Sequence, residues 1–239
     1  MVPALLGERV RMVGMDEAIS VLTDAKIEVP DAAAVRRAVL EQLRSEIRVG
    51  ALPGGTRLRQ TQLAERFGVS RMPVRDAIGD LVAEGLAVGM PSGGARVSEL
   101  TRDDMHHVYA VRAAMEVHAV AEVCAREDRM RTVAQLREIL TRAQPLVDSG
   151  ELEPLTELDK QFHWTIYRGT GNRFVEVAMT PMWAQVDRIM YAVLKLPDYL
   201  PTAWGEHLAV TDAIEAGDAK RAQKLMHVHV TNAAERLIQ

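Results

Sequence analysis

Cysteine is nearly absent from these 239 residues: Cys124 is the only one. No internal disulfide can staple the fold, which suits a reducing compartment. Cys124 lies in the apolar stretch AVAEVCA (119–125), where a buried thiol behaves as a small hydrophobe. Aromatic residues make up only 4% of the chain while Ala, Leu and Val are common, a balance that favours helices over sheets. Long apolar runs are missing too, so a bilayer span of roughly 20 residues is not expected. The opening MVPALLGERV has neither a basic n-region nor a long enough apolar core for a signal peptide. These absences point to a cytoplasmic protein without a membrane partner. Hydrophobic residues at 48% and charged residues at 26% describe a soluble globular chain, long enough for one large domain or two modest ones.

Net positive charge is also lacking. The formal charge is −4, which by itself argues against a nucleic-acid binder. Its distribution argues the other way: Val35 to Arg75 holds nine Arg (36, 37, 44, 48, 57, 59, 66, 71, 75) against three Glu (41, 46, 65), a local +6. A local footprint of this kind is what meets phosphates. Most charge runs are solvated helical faces, so the count needs a fold behind it.

Residues 1–30 read as an N-terminal extension. Met15, Ala18, Ile19 and Leu22 have helical spacing before Pro30, and Met12 and Met15 are alternative starts. From Ala32 to Val49 the pattern predicts a helix with Val35, Val39, Leu40, Leu43 and Ile47 on one face, broken by GALPGG (50–55). A short helix fits Gln60–Phe67. GVS (68–70) is a tight turn, with Gly68 suited to the left-handed conformation and Ser70 able to cap the next helix. That helix runs from about Arg71 to Glu84, with Pro73 in its first turn and Val74, Ala77, Ile78, Leu81 and Val82 inward. LAVGM and ARVSEL then flank PSGG as two short strands. Three helices and a hairpin make a winged helix-turn-helix over 31–99. In that motif the second helix of the pair enters the major groove by its N-terminal end. Arg71 and Arg75 stand there one turn apart, each able to fork onto guanine or clamp a phosphate, and Ser70 with the free N–H groups suits a phosphate.

The stretch 56–97, TRLRQTQLAERFGVSRMPVRDAIGDLVAEGLAVGMPSGGARV, resembles the DNA-binding domain of the GntR family of bacterial transcription regulators. The match runs through Leu63, Ala64, Gly68, Val69, Ser70, Arg71, Pro73, Val74, Arg75, Ala77, Leu81, Glu84, Gly85 and Leu86. Met72, Asp76 and Ile78 depart from the usual Thr, Glu and Leu; loss of the Thr hydroxyl removes one phosphate contact without touching the fold. The resemblance places DNA contacts at Ser70, Arg71 and Arg75, with Arg59 and the wing residues Ser92 and Gly93. After Leu100, Thr101 and Asp104 form a capping box. The rest reads as helices near 101–127, 130–149, 152–169, 172–195, 201–216 and 218–238. The stretches VRAAME (111–116), LDKQFHWTIYRGTGN (158–172), EHLAVTDAIEAGD (206–218) and AQKLMHVHV (222–230) resemble the helical effector domain of the FadR subfamily, the FCD domain. The expected fold is therefore mainly α: a winged head, then an antiparallel bundle of six or seven helices over 100–239.

Asp159 and His163 are four residues apart, on one face of a helix. Alone they are half of a metal site or an ordinary hydrogen-bonded pair. His207 and His229 add two imidazoles on other helices, a set that can meet only inside a bundle. Three imidazoles and a carboxylate suit Zn, with Ni, Mn or Fe open. The resemblance implies this same ligand set, Asp159, His163, His207 and His229, with Met226 giving the register. His227 lies roughly 200° around the helix from His229 and cannot share the centre. His106, His107 and His118 have no such support and read as packing or surface residues. By the same resemblance a small carboxylate metabolite completes the metal site, anchored by Arg112 near Tyr109. A surface salt bridge of Arg112 with Glu116 stands equally beside that reading. The expectation is a homodimeric, ligand-responsive repressor of a pseudo-palindromic operator on double-stranded DNA. The competing classes are a metal-dependent enzyme of small organic acids, for which no HExxH-type base or nucleophile set is seen, and a constitutive DNA binder with a purely structural metal.

Overall fold

Asp31 accepts a hydrogen bond from the Ala33 N–H and so caps the first helix, α1 (Ala32–Arg48), which buries Val39, Leu40, Leu43 and Ile47. The computed structural model describes residues 31–91, 93–196 and 199–238; the helix expected around Met15–Leu22 lies outside them, as does Ser92. Next come β1 (Arg57–Leu58), α2 (Gln60–Phe67), α3 (Arg71–Ala83), β2 (Ala87–Gly89) and β3 (Ala95–Val97). Gly68 ends α2 at φ 65°, the left-handed conformation that only a side-chain-free residue adopts without strain.

The sheet corrects the two-strand expectation. It has three strands in the order β1-β3-β2, all antiparallel, because Arg57 and Leu58 run beside Arg96 and Ala95. Leu58 is buried there. Two residues are too short for the period-2 alternation that marks a strand in sequence.

The Thr101–Asp104 capping box forms as expected and opens α4 (Arg102–Ala125). It is followed by α5 (Arg129–Ser149), α6 (Leu152–Gly169), α7 (Arg173–Leu194), α8 (Tyr199–Glu215) and α9 (Ala219–Ile238). Each lies within two residues of its expected range, since Gly150, Gly171 and Gly217 supply positive φ where the chain turns. Buried side chains form two clusters. One joins α1–α3 and the sheet through Leu43, Ile47, Val74, Leu81 and Val97. The other fills the bundle, with Leu136, Leu155, Phe162, Ile166, Val186 and Ile214. α9 packs along α4, and α5 lies between α6 and α8. Among the described residues no helix is long and apolar enough to cross a membrane.

α7 also touches the head. Gln185 Nε2 donates to the Gly85 carbonyl at 2.8 Å, and Arg188 Nη1 to the Ser98 carbonyl at 2.9 Å. Those carbonyls stand on either side of the wing hairpin, and Ser98 Oγ donates to the Gly85 carbonyl as well. Asp187 faces Arg48 of α1 at 3.7 Å.

Candidate metal centre and DNA-binding face

The buried stripe of α6 is Leu155, Leu158, Asp159, Phe162, His163, Ile166 and Tyr167. This is the 3–4 spacing of a core-facing helix, with a carboxylate and an imidazole at positions that apolar residues would otherwise fill. α8 repeats the device with His207 among Ala203, Trp204, Val210 and Ile214. On α9, His229 sits among Met226, Val230 and Ala233. All four polar side chains are 0–2% exposed. The three histidines offer ligand nitrogens within 4.8 Å of one another. Asp159 lies beside two of them, Oδ1 at 3.4 Å from His207 Nε2 and Oδ2 at 3.9 Å from His163 Nε2. The fold thus brings together the residues expected from sequence.

The donor set fits a divalent cation. Asp159 Oδ1 is buried with no hydrogen-bond partner among the described residues, a costly state for a carboxylate oxygen. His207 Nε2 and His229 Nε2 face each other at 3.2 Å, bringing two potential ligand nitrogens together. Burial holds the His163 and His207 imidazoles below the usual histidine range, and nearby His229 pushes His207 further down. Neutral imidazoles and a carboxylate are the forms that ligate metal.

Arg112 does not make the surface salt bridge that was one reading of it. It is fully buried, and its bond to Glu116, Nε to Oε1 at 2.8 Å, lies inside the bundle. The stripe Tyr109, Arg112, Ala113, Glu116, Ala119, Val120 and Val123 turns inward as a unit, carrying both charges with it. Arg112 also donates from Nη2 to His163 Nε2 at 2.8 Å and stands 3.4 Å from the Tyr109 hydroxyl. Burial works against the Glu116 carboxylate, yet Arg112 and His163 outweigh it and hold its pKa well below the usual range. Burial likewise opposes the Arg112 charge, and Glu116, Tyr109, Tyr167 and Asp159 together outweigh it. The Tyr109 hydroxyl is pushed up to about 12 by burial. Tyr167 donates to Glu116 Oε1 at 2.6 Å. The indole of Trp183 on α7 lies under Arg112, 5.6 Å from its guanidinium carbon, and 6.0 Å from the His163 ring. Glu116, Glu206, Tyr167 and Trp183 were not singled out as site residues from sequence. The signal for Glu116 was a second charge on an otherwise apolar stripe. His227 is exposed, as its angle from His229 requires, and His106, His107 and His118 are exposed too.

In the head, Arg71 and Arg75 lie exposed on the first turns of α3. Ser70 occupies the N-cap position, but its side chain makes no cap bond. A capping side chain reaches the N–H of the second or third helical residue. The third, Pro73, has none, and the Ser70 side chain does not bond that of the second, Met72, so the helix start is open. Arg75 leans on Asp76, Nε to Oδ1 at 3.2 Å, and remains 60% exposed. Arg59 is exposed at the start of α2, and Gly93 is exposed on the wing at φ 85°. Arg57 and Arg96 face each other across β1 and β3, both exposed. Directly opposed like charges disfavour the sheet slightly and leave a concentrated positive surface.

A winged helix-turn-helix head carrying exposed arginines, joined to an all-helical domain, defines a DNA-binding regulator. The chain belongs to the GntR family of bacterial regulatory proteins with an FCD domain: the gntR-family model matches residues 35–97 and the FCD model residues 107–232. It is 25% identical over 205 residues to the HTH-type transcriptional repressor RspR of Escherichia coli, covering 86% of this chain and 90% of that one. It is 27% identical over 199 residues to the "Probable D-xylose utilization operon transcriptional repressor" of Paenarthrobacter nicotinovorans, covering 82% and 87%. Among solved structures, E. coli McbR/YncC superposes with a TM-score of 0.72 at 22% identity, over 86% of this chain and 97% of that one, and so shares the fold. These families and relatives are transcription regulators, not enzymes, and the organic-acid enzyme reading is set aside.

Proposed function

We propose that this cytoplasmic regulator binds a pseudo-palindromic operator as a homodimer and represses until a small carboxylate metabolite docks at a divalent metal, zinc above nickel, manganese or iron. The observation that carries the sensing half is the buried cluster of Asp159, His163, His207 and His229. Its unpartnered carboxylate oxygen and converging imidazole nitrogens have no use in packing alone. The ion, when bound, supplies positive charge and open coordination positions to a carboxylate. Arg112 donates to the same His163 Nε2 that would ligate the ion, so the two cannot hold that lone pair together. Release of that bond turns the guanidinium over to an incoming carboxylate, with Tyr109 beside it. Arg71, Arg75, Ser70, Arg59 and the wing at Ser92 and Gly93 meet the DNA. The effector acts only if it binds the DNA-competent and incompetent states with different affinity.

A thermal-shift screen of small organic acids on zinc-loaded protein, followed by operator gel shifts with each hit, tests this. The expected result is a stabilising acid that also weakens operator binding. If zinc stabilises the protein and no acid changes either quantity, the metal is structural and the DNA binding constitutive.

A further inference from the structure

His163 and His229 repeat one arrangement from different helices. Each presents Nε2 to the cluster and Nδ1 to a glutamate from another helix: Glu116 Oε2 on α4 and Glu206 Oε2 on α8, both at 2.8 Å. A neutral imidazole has one donor and one acceptor nitrogen, and a carboxylate only accepts. In the neutral form, the one that ligates metal, the proton therefore sits on Nδ1 in both rings. The His163–Glu116 contact lies off the N–H axis, but Arg112, whose bond the ion would displace, points to the same tautomer from the other side of the ring. A guanidinium has no acceptor, so His163 Nε2, 2.8 Å from Arg112 Nη2, is the lone-pair nitrogen.

We infer that Glu116 and Glu206 are positioning residues of the metal centre, each fixing one histidine as the Nδ1–H tautomer so that its Nε2 lone pair faces the ion. The inference rests on the metal reading proposed above. Carboxylates behind a ligating imidazole orient the ring and raise its basicity, and their loss costs metal affinity. His207 is held differently. Its Nδ1 has no hydrogen-bond partner among the described residues, and the ring is set by stacking on Phe162 at 4.1 Å and by the edge contact of Trp204 at 4.9 Å.

The two glutamates differ in freedom, and that separates positioning from mere packing. Glu116 is held on both oxygens: Oε1 accepts from Arg112 Nε at 2.8 Å and from the Tyr167 hydroxyl at 2.6 Å, and Oε2 lies 2.8 Å from His163 Nδ1, off the N–H axis. In Glu116→Gln the new amide NH2 must face either the Arg112 Nε–H, donor against donor, or His163 Nδ1, which accepts only once the ring proton has moved to Nε2 and the Arg112 Nη2 bond is given up. Glu206 has slack: its side chain is 21% exposed and, among the described residues, its other oxygen meets only Asn232 Nδ2, at 3.4 Å. In Glu206→Gln the carbonyl can keep His229 while the amide turns to Asn232, whose own amide can flip.

The test uses full-length protein labelled with 15N-histidine. Long-range 1H–15N correlation spectra in chelator report each tautomer, and zinc affinity is measured by competition with a chromophoric chelator. The wild type is expected to show His163 and His229 protonated at Nδ1. Glu116→Gln should move His163 to the Nε2–H form and weaken zinc by about 10- to 100-fold. Glu206→Gln should keep the His229 tautomer and change affinity by less than about threefold, whereas Glu206→Ala should lose both. An Nε2–H tautomer at either ring in the wild type overturns the inference, as does Glu116→Gln with unchanged tautomer and affinity. If Glu116→Gln does not fold by circular dichroism, the wild-type spectra and the Glu206 pair still decide. Should the tautomers be as described while the wild type binds no zinc, nickel or manganese, the metal reading falls and the tautomer assignment stands.

Discussion

Arginine does opposite work in the two halves of the molecule. Arg71 and Arg75 stand exposed at the open start of α3, with Asp76 beside Arg75. Arg112 is fully buried and meets Glu116, His163 and the Tyr109 hydroxyl. An exposed guanidinium keeps its charge for a polyanion outside the protein, and salt screens that attraction. A buried one survives only with partners around it, and removal of any partner strands a charge in low dielectric. The head thus presents its charge outward, and the bundle holds its charge in balance inside.

The largest expected effect breaks the head alone. Arg71→Ala with Arg75→Ala should weaken operator binding by at least about 30-fold, since base contacts are worth about 1–3 kcal/mol each. Far-ultraviolet circular dichroism and thermal midpoint should stay put, because neither side chain is buried. Phosphate contacts among them should also lower the salt slope by about one each. Unchanged affinity in a gel-shift titration would remove these two residues from the DNA interface and erase the contrast with Arg112.

His207→Ala should break the bundle alone. Metal bound to the native state stabilises by about 2.7 kcal/mol at one hundred times its Kd. Loss of a ligand should therefore remove the metal and that stabilisation together, on top of a cavity beside Phe162. Elemental analysis and thermal melts read the two losses. Equal metal content in variant and wild type would show that His207 is a packing residue.

The two halves were unequally legible in sequence. The head is a local motif: GVSRMPVR places its arginines by helix geometry within one turn, so α2, the turn and α3 could be written down from spacing. What escaped was β1, whose two residues take their conformation from β3 rather than from their own pattern. Ser70 escaped for a different reason: Pro73 removes one of the two N–H groups a cap can reach, and the Ser70 side chain does not bond the other, on Met72. The candidate metal ligands were legible as polar interruptions of apolar stripes, but their meeting depends on how α6, α8 and α9 pack. The register of Asp159, His163, His207 and His229 came from family resemblance. Glu116 and Glu206 were invisible as positioning groups, since each acts on a histidine from another helix. Arg112 was ambiguous for the same reason: four-residue spacing to Glu116 says that they pair, not on which side of the helix surface they do so.

A smaller effect is expected from pH. In the folded protein burial lowers the His163 and His207 pKa below 6.5, the value for a free imidazole. Between the folded and unfolded values the unfolded chain binds the extra protons. Stability is therefore greatest above 6.5 and falls as pH drops through it toward the folded values. Each unit of depression contributes about 1.4 kcal/mol per histidine. Glu116 has the same consequence one window lower: its depressed pKa gives stability above 4.5 that is lost as pH falls below it. Thermal midpoints in chelator across this range should decline in two steps. Arg71→Ala should leave both steps unchanged, as the exposed head side chain has no part in them, and a flat profile would mean that the histidines are not held neutral by burial.

The smallest effect on either half taken singly is expected where they touch. Gln185 and Arg188 grip the Gly85 and Ser98 carbonyls at the root of the wing, and Trp183, two residues before Gln185, lies against Arg112 and His163. One helix therefore has the buried charges on one side and the wing on the other. Gln185→Ala with Arg188→Ala removes two partly exposed hydrogen bonds, a loss of about 1 kcal/mol each at most. Metal content and operator affinity in the absence of effector should barely move. What should shrink is the factor by which metal and carboxylate change operator affinity, commonly 5- to 150-fold in coupled sites. Gel shifts on the variant, with and without zinc and a stabilising acid, measure that factor directly. A factor near one places the coupling on α7; an undiminished factor means that the bundle addresses the DNA by moving the two heads of a dimer, without passing through the wing root.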